Sequence, residues 1–359
     1  MQWQPILVTL FLRGLCQATA LSMIGSASSC SSAPSQPADR RTNSSKLVIA
    51  QYNVDFLFLS SVESEGTLEC PGRGCDWTNA SIAQEHLSRV ASQIARMDAD
   101  IVSLNEVESC DVLHALIAAM PKAAAVTYTP YLVLGEDRFT GQNVGMLSRV
   151  DPETDVRRTN ERVAFPVAGS QCNATAHGTE GVSKNLIARF HVAGMTRPLT
   201  FVAAHLLAQP TSPERCSRRE AQAVVLAVEA HAAHKRGDHV IIAGDMNDFD
   251  DVVLDSFGNK PISNVLHTLK HTLDPPFISA AEHVPRLQRF TDWYDRNHDC
   301  KDEGGDEHSM IDHVLLSQPL AASVTSTLID HAYPGECFGV SDHWPVVVSL
   351  DLTEENRLR

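Results

Sequence analysis

The 359-residue chain has no long apolar run, few aromatics (6%) and a shortage of positive charge, with 29 Lys and Arg against 44 Asp and Glu. Each shortage excludes something. The apolar stretch near the start, Ile6 to Leu12, is too short to cross a bilayer. A net charge of -15 argues against a tight, sequence-blind grip on polyanions, which rests on clustered Lys and Arg. A polyanionic substrate would therefore need a metal ion or a local basic patch. The nine cysteines show neither CxxC spacing nor a His at zinc-site spacing, so a structural zinc site is not expected. No Ser or Cys nucleophile motif is found, and no linker, repeat or charge block interrupts the chain after residue 46.

What is there suits a globular protein with a large core, at 43% hydrophobic and 20% charged residues. The opening "MQWQPILVTLFLRGLCQATA" carries Ala18-Thr19-Ala20 after its apolar stretch and reads as a signal peptide over 1–20, the alternative being a disordered tail. Three glycosylation acceptor patterns, at Asn43, Asn79 and Asn173, fit an exported glycoprotein. Without Cys16 the cysteines number eight, an even count that predicts disulfides in an exported chain. Residues 21–45, rich in Ser, Ala, Pro, Gln and Arg, are expected to be disordered. One domain should run over 46–352, with a tail at 353–359. The expected location is extracellular or in the lumen of the secretory or endolysosomal pathway. A monomer is favoured, without stable membrane insertion, since no amphipathic basic helix is seen.

Along the domain, "KLVIAQYNV", "ADIVSLNEVE", "PLTFVAAHLLA" and "HVIIAGDMND" read as buried strands, and Ser81 to Met97 and Pro213 to about His234 as helices. Ser81 is a plausible helix cap. Many strands with a few helices between them point to two packed sheets with helices on the outer faces. The strands end repeatedly in polar residues: Asn53, Glu106, His205, and Asp245 with Asn247, whose i, i+2 spacing would put them on one side of a strand end. Asp312-His313 and Asp342-His343 flank further strands. A single carboxylate there is an ordinary turn former or cap. Six stations of acid, amide and imidazole describe a hard-cation site for phosphoryl chemistry.

The ordered set "QYNV", "LNEVE", "NVGMLSR", "AAHLLA", "GDMND", "SMIDHVLLS" and "SDHWPV" resembles the endonuclease/exonuclease/phosphatase superfamily. Deoxyribonucleases, abasic-site endonucleases, inositol phosphatases and neutral sphingomyelinases belong to it. The resemblance implies a four-layered α/β sandwich, two mainly antiparallel β-sheets packed together and flanked by helices, with the site at one end. It implies Glu106 as the principal metal carboxylate, with Asn53 beside it and Asp342 as a second. The implied ion is Mg²⁺, with Mn²⁺ or Ca²⁺ as alternatives. His205 would contact the scissile phosphate, and Asp245 and Asn247 would orient the attacking water. His343 would be the partner of that water, its ring held by Asp312.

For the substrate, Arg138, Gln142 and Asn143, and the run Arg215, Arg218 and Arg219, would supply a local basic patch; the alternative for the latter is an ordinary helix start with solvated arginines. Trp293 and Tyr294 would stack on a base or pack in the sheet. Cys172 with Cys216 and Cys300 with Cys337 are the pairings that would tie loops near this site. The expected activity is a secreted, metal-dependent phosphodiesterase, first of all a nuclease. The alternatives are a phosphatase or phospholipase type acting on inositol phosphates or phospholipids, and a non-catalytic binding protein.

Overall fold

The computed structural model describes residues 30–60, 69–72, 75, 77–337 and 339–355; the expected signal peptide lies outside them. In chain order its strands are β1 (Lys46–Leu57), β2 (Ile101–Val107), β3 (Thr129–Leu132), β4 (Asn143–Ser148), β5 (Arg162–Phe165), β6 (Gly178–Gly181), β7 (Lys184–Phe190), β8 (Leu199–His205), β9 (His239–Asp245), β10 (Ile278–Ser279), β11 (Asp292–Trp293), β12 (His308–Ser309), β13 (Asp312–Leu316), β14 (Val324–Ile329) and β15 (Val346–Asp351). The helices that matter are α1 (Ala80–Met97), α2 (Cys110–Ala119), α3 (Lys122–Ala125), α4 (Pro213–Lys235) and α5 (Val265–Lys270).

Two large sheets carry the fold, one in the order β14-β15-β1-β2-β4-β3 and the other β10-β13-β9-β8-β7. Each has one parallel pair, β1 with β2 and β8 with β9, and every other pairing within them is antiparallel. The parallel pairs are the ones with a long helix between their strands, as a crossover requires. Successive side chains of a strand point to opposite faces. Thus Leu47 and Ile49 of β1 join Phe201, Ile241 and Val314 of the other sheet in one core between the sheets. Val48, Ala50 and Tyr52 meet Leu87, Val90 and Ile94 of α1 and Leu113 of α2 on the outside. Val202 and Ile242 likewise face Leu226 and Ala230 of α4 and Leu266 of α5. These strands are buried on both faces, which is why they read as unbroken apolar runs.

Several expectations change in detail. The cap of α1 is Asn79 rather than Ser81, its Oδ1 accepting from the amides of Ser81 and Ile82 at 3.0 and 3.1 Å. Residues 30–45, expected to be disordered, lie against the domain. Arg40 donates to both carboxylate oxygens of Asp151 at 2.8 and 2.5 Å and to Thr129 Oγ1 at 2.8 Å. Tyr131 donates to the same carboxylate at 2.7 Å. Cys30 pairs with Cys110 across 80 residues. Ion pairing and a disulfide hold this segment, so its lack of large apolar residues misleads.

All eight described cysteines pair: Cys172 with Cys216 and Cys300 with Cys337 as expected, and Cys30 with Cys110 and Cys70 with Cys75. Four such pairs fit an oxidising environment. Among the described residues no helix is long and apolar enough to cross a membrane.

If Arg40 anchors the N-terminal segment, Arg40→Ala should lower the free energy of unfolding by about 2–3 kcal/mol, since it leaves the buried Asp151 carboxylate without its charged partner. It should also open residues 31–45 to protease. Urea denaturation and mass mapping of a brief digest check both; an unchanged midpoint with no new cleavage would contradict the anchoring.

Candidate active site

Strand register builds one wall of the site. His205 lies opposite Lys184 on one side and Asp245 on the other, and Asp245 lies opposite Asp312, so four polar residues form a row across the ends of β7, β8, β9 and β13. The facing sheet contributes Asn53 from β1 and Glu106 from β2, beside a bulge between Asn105 and Val107. Asp55, Phe56, Glu106 and Asn247 all have left-handed backbones, with φ of 47°, 43°, 68° and 48°. Such strain in non-glycine residues is maintained only where the surroundings dictate it.

The side chains meet. Asn53 Nδ2 donates to Glu106 Oε1 at 3.3 Å and to Asp245 Oδ2 at 3.1 Å, and lies 3.5 Å from His343 Nε2. His205 Nε2 is 3.5 Å from Asp245 Oδ2 and 3.9 Å from Glu106 Oε1. His343 Nδ1 sits 2.6 Å from Asp312 Oδ2. Asp342 Oδ1 lies 3.9 Å from His343 Nε2, at the more exposed edge. The expectation for Asp245 and Asn247 needs correction: the strand ends at Asp245, and Asn247 turns back so that its amide donates to Asp245 Oδ1 at 2.9 Å. The two share the site through a turn, not through an extended strand end.

Burial and charge set the protonation. Burial raises the Glu106 pKa above the usual carboxylate range, and repulsion by Asp342 adds to it. Asp245 is raised well above that range by burial and by Asp312. Burial pushes His205 well below the ordinary imidazole value, and the positive charges of Lys184 and His343 push the same way. Burial would lower His343 too, but the charges of Asp312 and Asp342 and the hydrogen bond that His343 donates to Asp312 outweigh it and raise its pKa well above the ordinary value. The pocket therefore holds a neutral imidazole, a cationic one, and carboxylates that are costly to ionise together.

Residues not picked out in the sequence hold this arrangement. The Asn105 carboxamide oxygen accepts from Gln51 Nε2 at 2.6 Å and from the Asp245 amide at 2.8 Å, while its nitrogen donates to Ala204 O at 3.2 Å. Gln51 Nε2 also reaches Asp312 Oδ1 at 3.3 Å. Both amides interrupt apolar strands, "IAQYNV" and "VSLNEV", and that interruption was the available signal. Asp292, from the two-residue β11, places Oδ1 3.6 Å from His343 Nε2. So short a strand gave no periodicity to read.

Two clefts of about 700 and 560 Å³ share Glu106 and His205. Arg138 and Arg215 line the larger, with Arg162, Lys184 and Arg218. Tyr294, 62% exposed, lines the smaller, whereas Trp293 is buried in the core. Arg219 and Asn143, expected to contact substrate, do not open on either cleft. Arg219 is 0% exposed, pairs with Asp248 at 3.0 Å and donates to the carbonyls of Leu207, Gln209 and Pro210. The Asn143 carboxamide is buried, donating to Val107 O, Glu108 O and Gly141 O and accepting from the Gly135 amide. Each needs its polar atoms to shape a loop.

Comparison with known proteins gives a matching picture. Among solved structures, TDP2 from C. elegans superposes with a TM-score of 0.50 at 16% identity, over 85% of this chain and 75% of that one. A truncated form of Caenorhabditis elegans TDP2 gives 0.50 at 17%, over 85% and 98%. The endonuclease/exonuclease/phosphatase from Bacteroides vulgatus gives 0.50 at 16%, over 85% and 98%. At these identities the likeness is one of fold. No curated protein sequence matches the chain. A model of the endonuclease/exonuclease/phosphatase family matches residues 50–343, a span that contains Asn53, Glu106, His205, Asp245 and His343. The chain therefore belongs to the endonuclease/exonuclease/phosphatase family.

Proposed function

We propose that the protein is a secreted, divalent-metal-dependent phosphodiesterase that cleaves polynucleotides. The observation that carries this reading is the meeting of Asn53, Glu106, His205, Asp245 and His343, with Glu106 and His205 lining two neighbouring clefts and Asp245 and His343 lining the smaller. A diester has a substituent on each side of its phosphorus, and the paired clefts give each substituent a place. Arg138, Arg162, Lys184, Arg215 and Arg218 line the larger cleft beside Glu106, Glu136, Asp137, Glu161 and Glu180, with Lys184 3.6 Å from Asp137 and Arg218 paired with Glu180, so the grip on a phosphate backbone would fall mainly to the metal.

The donor set fits a hard cation. Glu106, Asp245, Asp292, Asp312 and Asp342 gather in one place, and oxygen donors of this kind suit Mg²⁺. Glu106, Asn53 and Asp342 would hold it, and it would supply charge neutralisation at the phosphate and the departing oxygen. The protein groups have their own parts. Asp245, with its raised pKa, accepts the proton of the attacking water, whose oxygen forms the new bond to phosphorus as the leaving ester bond breaks. Asn247 orients that water. His205, kept neutral, donates a hydrogen bond to a phosphate oxygen; cationic His343 offsets charge developing on the phosphoryl oxygens, with Asp312 holding its ring in place. No covalent enzyme intermediate is required. Export and glycosylation at Asn43, Asn79 or Asn173 accompany this reading and are supported by the paired cysteines.

A substrate panel tests the activity: plasmid and single-stranded DNA, RNA, bis-nitrophenyl phosphate, inositol polyphosphates and sphingomyelin, each with Mg²⁺, Mn²⁺ or Ca²⁺ and with EDTA. Polynucleotide cleavage abolished by EDTA is expected. Release of inorganic phosphate from monoesters alone, hydrolysis confined to a lipid, or no turnover at all would each overturn it. Glu106→Gln, Asp245→Asn and His343→Ala should each lower kcat by about a thousandfold or more with melting temperature little changed. In the metal-free protein, ¹⁵N NMR at neutral pH should find His343 protonated on both nitrogens, and Asp312→Asn should make it neutral. The sign for stability follows: a raised histidine pKa contributes stability that is complete below the ordinary imidazole range and fades as pH rises through the raised value. Asp312→Asn should therefore cost more stability at pH 6 than at alkaline pH, and an equal cost at both would contradict the pairing.

A further inference from the structure

Asp292 belongs to the carboxylate cluster but has no role in the reaction steps above, and it comes within reach of the same imidazole from the side opposite Asp312. Its Oδ1 is 3.6 Å from His343 Nε2, and Asp342 Oδ1 is 3.9 Å from that nitrogen. One ligand atom from each of Asp292, Asp342 and His343 lies within 4.8 Å of the other two. The other oxygen of Asp292 accepts from Ser309 Oγ at 2.8 Å, which turns Oδ1 toward the ring.

We propose that Asp292, Asp342 and His343 form a second binding site, sharing Asp342 with the magnesium seat, for zinc or a similar late first-row divalent ion. Three features of the geometry favour this. An ion with tetrahedral bonds of about 2.1 Å needs ligand atoms about 3.4 Å apart, so the contacts to nitrogen at 3.6 and 3.9 Å must close by about 0.2 and 0.5 Å and the two carboxylates, within 4.8 Å of each other, by at most about 1.4 Å. Metal-binding imidazoles are oriented by a carboxylate on their far nitrogen, and Asp312 at 2.6 Å from Nδ1 fills that role. The mixed nitrogen and oxygen set selects among ions: Mg²⁺ favours oxygen alone, whereas an imidazole draws zinc and its neighbours. The two carboxylates that face Nε2 give a cation beside it opposite charge on both sides. The remaining position of the ion faces the 560 Å³ cleft, which Asp292 and His343 both line.

The consequence is inhibition. A zinc ion there removes His343 Nε2 from the phosphate and draws Asp342 away from the Glu106 side. Micromolar zinc should then suppress the magnesium-supported reaction.

Titration calorimetry of the full protein with ZnCl₂, in excess Mg²⁺, reads the site without reference to any substrate. One zinc per chain should bind; Asp292→Asn should weaken it at least tenfold, and Glu106→Gln should leave it within twofold. In the unaltered protein, zinc should shift the ¹⁵N resonance of His343 Nε2 and spare Nδ1, a readout that does not depend on a variant folding. Absence of zinc binding, an unmoved His343 resonance, or loss of binding in Glu106→Gln but not in Asp292→Asn would overturn the proposal. The calorimetric result stands or falls separately from the panel of phosphate esters, so failure of the nuclease reading would remain distinguishable.

Discussion

The active end of this protein depends on one buried carboxamide. Asn105 joins the two sheets where their cores run out, taking a hydrogen from Gln51 Nε2 and another from the Asp245 backbone and giving one to the carbonyl of Ala204. Gln51, Asn105 and Asp312 are buried at 0–1% exposure, so their polar groups depend on partners within the protein; Gln51 Nε2 and the Asn105 and Asp312 oxygens find them, while Gln51 Oε1 has none. Through this clamp the first sheet sets the position of β9, and β9 sets Asp245. An apolar residue at 105 would let the sheets pack equally well and leave the catalytic wall without a fixed distance to Asn53 and Glu106.

Around that clamp the backbone is forced out of regular strand geometry. Glu106 reaches the pocket because β2 bulges there and its φ turns positive, and Asn247 returns to Asp245 through a left-handed turn. Gly244 serves the same purpose at φ 155°: a Cβ on it would lie 1.8 Å from Ala204 O, so only glycine lets β9 come this close to β8. Strain, buried carboxylates and a cationic imidazole are all unfavourable alone. Together they are an arrangement that a cation and a phosphate would stabilise.

How much of this could be read from the residues follows from the packing. Sheets buried on both faces make long apolar runs, so a polar residue at the end of one stands out; Asn53, Glu106, His205, Asp245, Asp312 and His343 were visible for that reason. Position along the chain says nothing about which way a side chain points. Arg219, in a run of arginines soon after His205, looked like a substrate contact, and instead it holds the 207–210 loop from inside. Asn143 deceived in the same way. Asp292 belongs to a strand of two residues, and residues 30–45 are held by Arg40, Asp151 and Cys30 rather than by apolar burial, so hydropathy was blind to both. Two of the four cysteine pairs were expected from their nearness to the motifs, although Cys216 proves to lie in α4 and not in a loop; Cys30 with Cys110 and Cys70 with Cys75 were not read.

The central claim is that these scattered residues form one seat for a divalent ion beside a phosphate. A crystal soaked in Mn²⁺ with a non-hydrolysable phosphodiester, examined by anomalous scattering, tests it most directly. The account predicts an ion bonded to Glu106 and to a phosphate oxygen, with His205 and Asp245 in hydrogen-bond reach of the same phosphate. An ion and ligand bound elsewhere, with Glu106 left only with its protein partners, Asn53 and the Phe56 amide, would contradict it.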